Sequence, residues 1–356
     1  MGRHTAIECP ELDRLVDDSC TEVGREVEAL RIPRLAGVVL GGGYGRGEGG
    51  VRETGDGAQA LFNDLDFFAI TEEGASADEI AAITAALEPV SKKWTDRLGL
   101  DVDFTVRTPW RIKHDEDRLM IQELVRGYFD VAGCKGERLF AHIRLIDAMK
   151  VPWMEAARLL MNRGMGLLLA MEGMGNGERG MGNGEQGMGN GEQGMGNGEQ
   201  GMGNGEEGRG KREQGREFVL RNINKCVLGA GDARLVARHD YRWKAAERGD
   251  AFGDALYRAA VEWKFLPRDE AVCSWETAQK SWCEAFDEVM DAGRSEGALS
   301  RSLWEGARWV VRRRALGDLS GFGRNCTVRV LEGVARCVRE RRRPDDALMR
   351  DWRIFN

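Results

Sequence analysis

The sequence is most constrained where a short apolar run enters a glycine-rich segment. Residues 35–40 are apolar or small, and five of the eight residues from Gly41 to Glu48 are glycine. Glycine readily adopts backbone conformations that other residues rarely adopt, which suits a tight turn at the start of a short helix. We therefore predict a buried strand followed by a tight turn. The backbone N–H groups of such a turn are uncovered by side chains and can bind the phosphates of a nucleotide.

The next two predicted strands carry carboxylates. Asp64 and Asp66 are two positions apart and share one strand face, as do Asp101 and Asp103 further along the chain. Adjacent carboxylates repel each other, and a divalent cation removes that repulsion. With a third carboxylate, the group can hold two Mg²⁺ ions roughly 3.5–4 Å apart, as in two-metal phosphoryl transfer. Asp101 and Asp103 both remain candidates for the third ligand, and Asp103 is preferred because it lies mid-strand.

These motifs together resemble a known signature. The segment Gly42-Gly43-Tyr44-Gly45-Arg46-Gly47-Glu48, followed by Asp64-Leu65-Asp66 and then Asp103, is similar to that of the DNA polymerase β-like nucleotidyltransferase superfamily, especially its small bacterial members. The resemblance implies a small mixed sheet flanked by helices and an Mg²⁺-dependent enzyme. It also implies transfer of a nucleoside monophosphate from an NTP, with ATP expected, to an acceptor, and release of pyrophosphate.

The resemblance assigns roles by position. Gly42 and Gly43 match the phosphate-binding turn, and Asp64 and Asp66 match the ligands of the two Mg²⁺ ions. Asp103 matches the third carboxylate, which helps to bind the catalytic metal and positions or deprotonates the acceptor hydroxyl. Two features depart from the family pattern: Gly43 stands where serine is usual, and twenty residues separate Gly43 from Asp64, more than usual. An insertion around residues 51–60 accounts for the longer spacing.

Three cationic residues are further candidates for the nucleotide site. Arg46 lies within the glycine segment and can add a charge-assisted contact to the same phosphates. Members of the family often carry a helical domain that closes over the nucleotide, so Arg163 or Lys225 can reach the triphosphate. A surface or helix-capping role for Arg163 and Lys225 remains equally open.

The periodicity predicts an α+β protein in two parts. The periodicity of residues 1–110 indicates a helix over 11–30, short strands and a helix with Ser76 as N-cap. The family resemblance implies that these residues form a small mixed-sheet nucleotidyltransferase domain. Residues 111–356 form an α-helical domain. The predicted helices of that domain lie near 115–127, 153–171, 214–228, 233–248, 253–265, 270–292, 298–316 and 326–342.

A heptapeptide repeat interrupts the helical part. The unit Met174-Gly-Asn-Gly-Glu-Arg-Gly180 occurs five times with one variable position, within a segment of residues 173–215 that holds 18 glycines. Each glycine costs about 1 kcal/mol of helix stability relative to alanine. The pattern predicts a flexible, passive loop, and an interaction loop is the alternative.

The amino-acid composition restricts the kinds of site and the cellular location that we expect. The eight cysteines are never closer than ten positions, which excludes a CxxC metal knuckle, and no apolar run approaches the roughly 20 residues that span a bilayer. We expect free thiols, no disulfides, no membrane partner and a cytoplasmic location. The acceptor stays open between a protein hydroxyl, an RNA end and a small molecule. The alternative function is a catalytically inactive nucleotide-binding or interaction protein of the same fold, similar to one half of a toxin–antitoxin pair.

Overall fold

The computed structural model describes residues 2–55, 57–178, 206–297 and 326–355. Within these ranges the chain has the predicted α+β fold, with a small mixed sheet and many helices. The strands are Leu35–Leu40 (β1), Val51–Glu53 (β2), Gln59–Leu61 (β3), Leu65–Thr71 (β4), Val102–Arg107 (β5) and Phe129–Gly133 (β6).

Helices surround and follow the strands. They are Pro10–Leu30 (α1), Gly42–Gly45 (α2), Ala77–Leu98 (α3), Pro109–His114 (α4), Leu119–Arg126 (α5), Gly136–Leu139 (α6), Trp153–Glu178 (α7), Glu206–Ala237 (α8), Ala245–Phe252 (α9), Ala255–Phe265 (α10), Trp275–Ser295 (α11), Cys326–Glu340 (α12) and Asp346–Phe355 (α13). A 3₁₀ turn at Ala148–Lys150 precedes α7.

The main sheet has the strand order β5-β4-β1-β6. β1 is antiparallel to β4, and Leu40 pairs with Phe67, so the end of β1 lies beside the start of β4. β4 and β5 are parallel, and Asp66 pairs with Asp103. The glycine turn and the aspartate-bearing strand starts are therefore neighbours at one end of the sheet.

Both faces of the sheet are covered by helices. Val38 and Leu40 of β1 point to a core shared with α1 and α3. Val39, between them, points to a second core shared with α4 and α5, as the period of two in a strand requires. The apolar run of β1 is thus buried on both sides, which explains its lack of polar residues.

The N-terminus of α3 is the one predicted from Ser76. The Ser76 hydroxyl accepts a hydrogen bond from the Glu79 N–H at 3.2 Å, and the Glu79 carboxylate accepts one from the Ser76 N–H at 2.7 Å. This reciprocal capping box satisfies two N–H groups that the helix itself leaves without acceptors.

The prediction that the chain is entirely helical after Pro109 is wrong at β6. Phe129–Gly133 pairs antiparallel with β1 and forms an edge of the sheet. The predicted helix over 115–127 corresponds to α5, which begins at Leu119, and α4 is a separate short helix before it. An apolar run of five residues is too short to be assigned to helix or strand by periodicity alone. Its pairing with β1, about ninety positions earlier in the chain, determines that the segment is a strand.

Helix lengths also differ from those predicted around the repeat. α7 continues to Glu178, and α8 runs unbroken from Glu206 to Ala237, where two helices were predicted. α7 therefore includes residues 174–178 of the first repeat unit, which were predicted to be loop. The rest of the predicted loop, residues 179–205, and the predicted helix over 298–316 lie outside the described residues.

The chain divides into two compact units. The first comprises Met1–Leu159, Gly231–Arg268 and Asp287–Leu299, and the second comprises Leu160–Ala230, Asp269–Phe286 and Ser300–Asn356. The first unit contains the sheet and extends well beyond residue 110. All the contacts described below for the aspartates and the glycine turn lie within it.

Candidate active site

The glycine turn is packed directly against Asp66. Gly42 has a φ of 61°, a conformation that favours glycine, and a Cβ atom at this position would lie 2.1 Å from Oδ2 of Asp66. The Gly41 N–H donates a hydrogen bond to the Asp66 carbonyl oxygen at 2.8 Å. Only a residue without a side chain allows the carboxylate and the turn to approach so closely.

The turn also offers backbone donors. α2 is a single helical turn that begins at Gly42, and the first N–H groups of a helix have no acceptor within it. These donors belong to the same turn whose Gly42 lies against the Asp66 carboxylate. The phosphate-binding role of the turn stays a prediction.

Asp103 lies opposite Asp66 on the neighbouring strand. The parallel register places both side chains on the same face of the sheet. Partial burial and the negative charges of Asp101 and Asp64 raise the pKa of Asp103 above its usual value. Asp64 is thus close enough for its charge to act on Asp103, and the register favours Asp103 over Asp101 as the partner of Asp66.

The carboxylates suit Mg²⁺ by donor type and by strand register. Oxygen ligands from Asp are those that Mg²⁺ prefers in proteins. Within the residues that the structure describes, no three Asp, Glu, His or Cys side chains are arranged closely enough to hold a metal ion. Asp64, Asp66 and Asp103 are therefore neighbours whose side chains do not form a ligand cluster in the positions shown.

Tyr44 connects the turn to the segment that precedes Asp64. Its buried hydroxyl donates a hydrogen bond to the Gly50 carbonyl at 2.8 Å and accepts bonds from the N–H groups of Phe62 at 2.9 Å and Asn63 at 3.3 Å. The Asn63 side chain in turn accepts the Gly50 N–H at 2.7 Å. The extra residues between the turn and Asp64 form the β2–β3 hairpin, and Tyr44 closes the base of this hairpin.

Arg46 is placed differently from the role predicted for it. Its guanidinium is largely buried and forms ion pairs with Glu123 at 2.8 Å and with Glu48 at 3.5 Å. Two carboxylates of the protein therefore already balance its charge. A phosphate contact from Arg46 stays a prediction.

Glu48 is the centre of this buried network. Its side chain accepts hydrogen bonds from Lys264 Nζ at 2.9 Å and from the Ala245 N–H at 2.8 Å. Burial alone would raise the pKa of Glu48, but the positive charges of Lys264 and Arg46 and the Ala245 bond lower it to about 2. Glu48 is therefore ionised and links the glycine segment to α9 and α10.

The network continues through Glu123 and Arg248. Tyr241 donates a hydrogen bond to Glu123 at 3.0 Å, and Arg248 pairs with Asp232 at 2.8 Å. Sequence reasoning missed these groups because they are far apart in the chain. The sequence feature that pointed to this network was the pair of opposite charges, Arg46 and Glu48, two positions apart inside a glycine turn. Charged side chains in so confined a turn need partners of opposite charge.

Lys225 lies on α8 in the second unit and is half-buried. Arg163 lies on α7 in the same unit, and its side chain covers Gly229, where a Cβ atom would approach it to 2.3 Å. Helix packing accounts for the position of Arg163. The role of Lys225 at the nucleotide stays a prediction.

Comparisons with family models, with curated proteins and with solved structures give no match. None of the described helices has the length and apolar character needed to cross a membrane. The seven cysteines that the structure describes are free thiols, so the expected absence of disulfides holds for them.

Proposed function

We propose that this protein is an Mg²⁺-dependent nucleotidyltransferase that transfers a nucleoside monophosphate from an NTP to an acceptor. One observation carries the proposal: the Asp66 carboxylate lies against Gly42 of the glycine turn and is in register with Asp103. A turn that can bind phosphates thereby adjoins carboxylates that can bind the cation of a nucleotide.

Each group has a role in this proposal. The N–H groups of Gly42 and Gly43 bind the phosphates, and Asp64, Asp66 and Asp103 would hold Mg²⁺. A bound Mg²⁺ would supply charge neutralisation at the phosphate oxygens. The Asp103 carboxylate is proposed to position the acceptor hydroxyl or to accept its proton. The acceptor oxygen then bonds to the α-phosphorus as the bond to the bridging oxygen breaks, and pyrophosphate leaves.

The finer expectations belong to the same proposal. ATP is the expected nucleotide, and a cytoplasmic location agrees with free thiols. Lys225 is proposed as a further contact of the triphosphate. The acceptor is a protein, an RNA or a small molecule.

Label transfer from α-labelled ATP tests the proposal. The purified protein is incubated with the label, Mg²⁺ and fractions of a cell lysate, and covalent labelling of protein, RNA and small molecules is measured. We expect Asp64→Asn and Asp66→Asn to reduce transfer by at least about a thousandfold, since each removes a charged ligand.

Asp96→Asn is the matched control because Asp96 is exposed on α3 and its loss changes the net charge equally. Normal transfer by either active-site variant, with the control unaffected, would refute the proposed role of the aspartates.

A second candidate function is nucleotide binding without turnover. It is favoured by the finding that no three potential metal ligands form a cluster among the described residues. This alternative predicts that labelled ATP binds in the presence of Mg²⁺ but that no lysate fraction becomes labelled.

A further inference from the structure

Arg107 lies on the same face of the sheet as Asp103, and two further arginines follow it in the chain. Arg107 is four positions further along β5, and the period of two places it on the face of Asp103, roughly 13 Å away. Arg111 follows on α4, and Arg118 immediately precedes α5. All three belong to the first compact unit.

These arginines have few acidic partners. Asp115 pairs with Arg111 at 2.8 Å and lies 3.8 Å from Arg118, so one carboxylate serves both. The negative charge of Glu155 also acts on Arg118, but Glu155 pairs with Arg158, whose positive charge offsets it. Arg107, Arg111 and Arg118 therefore carry a net excess of positive charge around Asp115.

Of the three arginines, Arg107 has the least negative charge nearby to balance its own. It is half-buried, and within the described residues its guanidinium forms no hydrogen bond or ion pair. Burial and the charge of Arg111 lower the pKa of Arg107, against the opposing effect of Asp115. In addition, Nε of Arg118 is buried without a hydrogen-bond partner in the described structure. Partly buried cations and donors without partners are costly unless an anion binds them.

We propose that Arg107, Arg111 and Arg118 form a second phosphate-binding site, separate from the Gly42–Gly43 turn. Arginine guanidinium groups match the geometry of phosphate oxygens and bind them through paired, charge-assisted hydrogen bonds. Arg107 and Asp103 share a strand and a face, which suits this site to a phosphate group of the acceptor. That assignment to the acceptor rests on the proposed function, whereas phosphate binding at the arginines does not.

Binding of inorganic phosphate tests the site directly. The full chain is titrated with phosphate at constant ionic strength, set with chloride, and both the dissociation constant and the melting temperature are measured. We expect Arg107→Gln to weaken phosphate binding by at least about tenfold, as the loss of a charge-assisted contact implies. Without phosphate, this variant should melt at the same temperature as the wild type or higher, because it removes an uncompensated charge.

Arg14→Gln is the matched control, since Arg14 is exposed on α1 and its loss changes the net charge equally. Equal phosphate affinity for wild type and Arg107→Gln would overturn the proposal, as would equal weakening by the control. Competition by AMP and by glycerol 3-phosphate then identifies whether a nucleotide or a small phosphorylated molecule supplies the phosphate. Asp64→Asn should retain phosphate binding, which separates failure of this site from failure of nucleotidyl transfer.

Discussion

Among single residues, Tyr44 determines how the glycine turn and Asp64 are spaced. Its hydroxyl makes three hydrogen bonds to backbone groups on either side of the β2–β3 hairpin. In Tyr44→Phe, two N–H groups and one carbonyl lose this partner. We expect the free energy of unfolding to fall by about 2–4 kcal/mol, measured by urea denaturation. If the proposed function holds, label transfer should also fall, because Asp64 is no longer positioned.

Tyr128→Phe is the control for the loss of a tyrosine hydroxyl. Tyr128 is half-buried, and its ring packs edge-on against Phe140. Removal of the Tyr128 hydroxyl should change the free energy of unfolding by less than about 0.5 kcal/mol. An equally small effect of Tyr44→Phe would contradict the positioning role of the Tyr44 hydroxyl.

The sequence allowed the residues of the turn and the aspartates to be predicted, but not the environment of Arg46. Spacing of two fixes which carboxylates share a strand face, and this is a local property. The partners of Arg46 and Glu48 are 77 and 216 positions away, at Glu123 and Lys264. No local pattern encodes contacts at such separations.

At the scale of elements, the contact between α1 and β6 is unusually close. A Cβ atom at Gly24 of α1 would lie 2.3 Å from the Val131 carbonyl oxygen, whereas one at Gly249 of α9 would meet Val261 at 3.7 Å, an ordinary contact. Replacing glycine by alanine inside a helix normally stabilises it by about 1 kcal/mol. We expect Gly249→Ala to show this gain and Gly24→Ala to lose about 1–3 kcal/mol through overpacking.

Urea denaturation measures the free energy of unfolding of both variants, which carry the same change from glycine to alanine. A stability gain in Gly24→Ala would mean that α1 does not pack on β6 as described.

The contact between α1 and β6 also shows why β6 was not predicted from the sequence, whereas α1 and α3 were. The periodicity of a long amphipathic helix is visible in the sequence, whereas a five-residue edge strand depends on the elements that pack against it.

At the scale of the whole molecule, the first compact unit is assembled from distant parts of the chain. The sequence suggested a catalytic domain over 1–110. The structure adds β6 at one edge of the sheet and α5 to one of its cores. It also adds Lys264 beside the buried Glu48, from the segment 231–268.

These additions predict that the isolated fragment 1–110 does not fold. Without Lys264 and Glu123, Glu48 and Arg46 lose partners that compensate their burial, and breaking a buried ion pair costs about 3–5 kcal/mol. β1 also loses its β6 neighbour, and Val39 and Phe68 lose the apolar cover of α5. Those losses together approach the whole stability of a small domain, about 5–15 kcal/mol. Circular dichroism with urea titration should show a cooperative transition for the full chain and none for the fragment. A cooperative transition in the fragment would show that the first 110 residues are sufficient to build the sheet and to hold the aspartates beside the glycine turn.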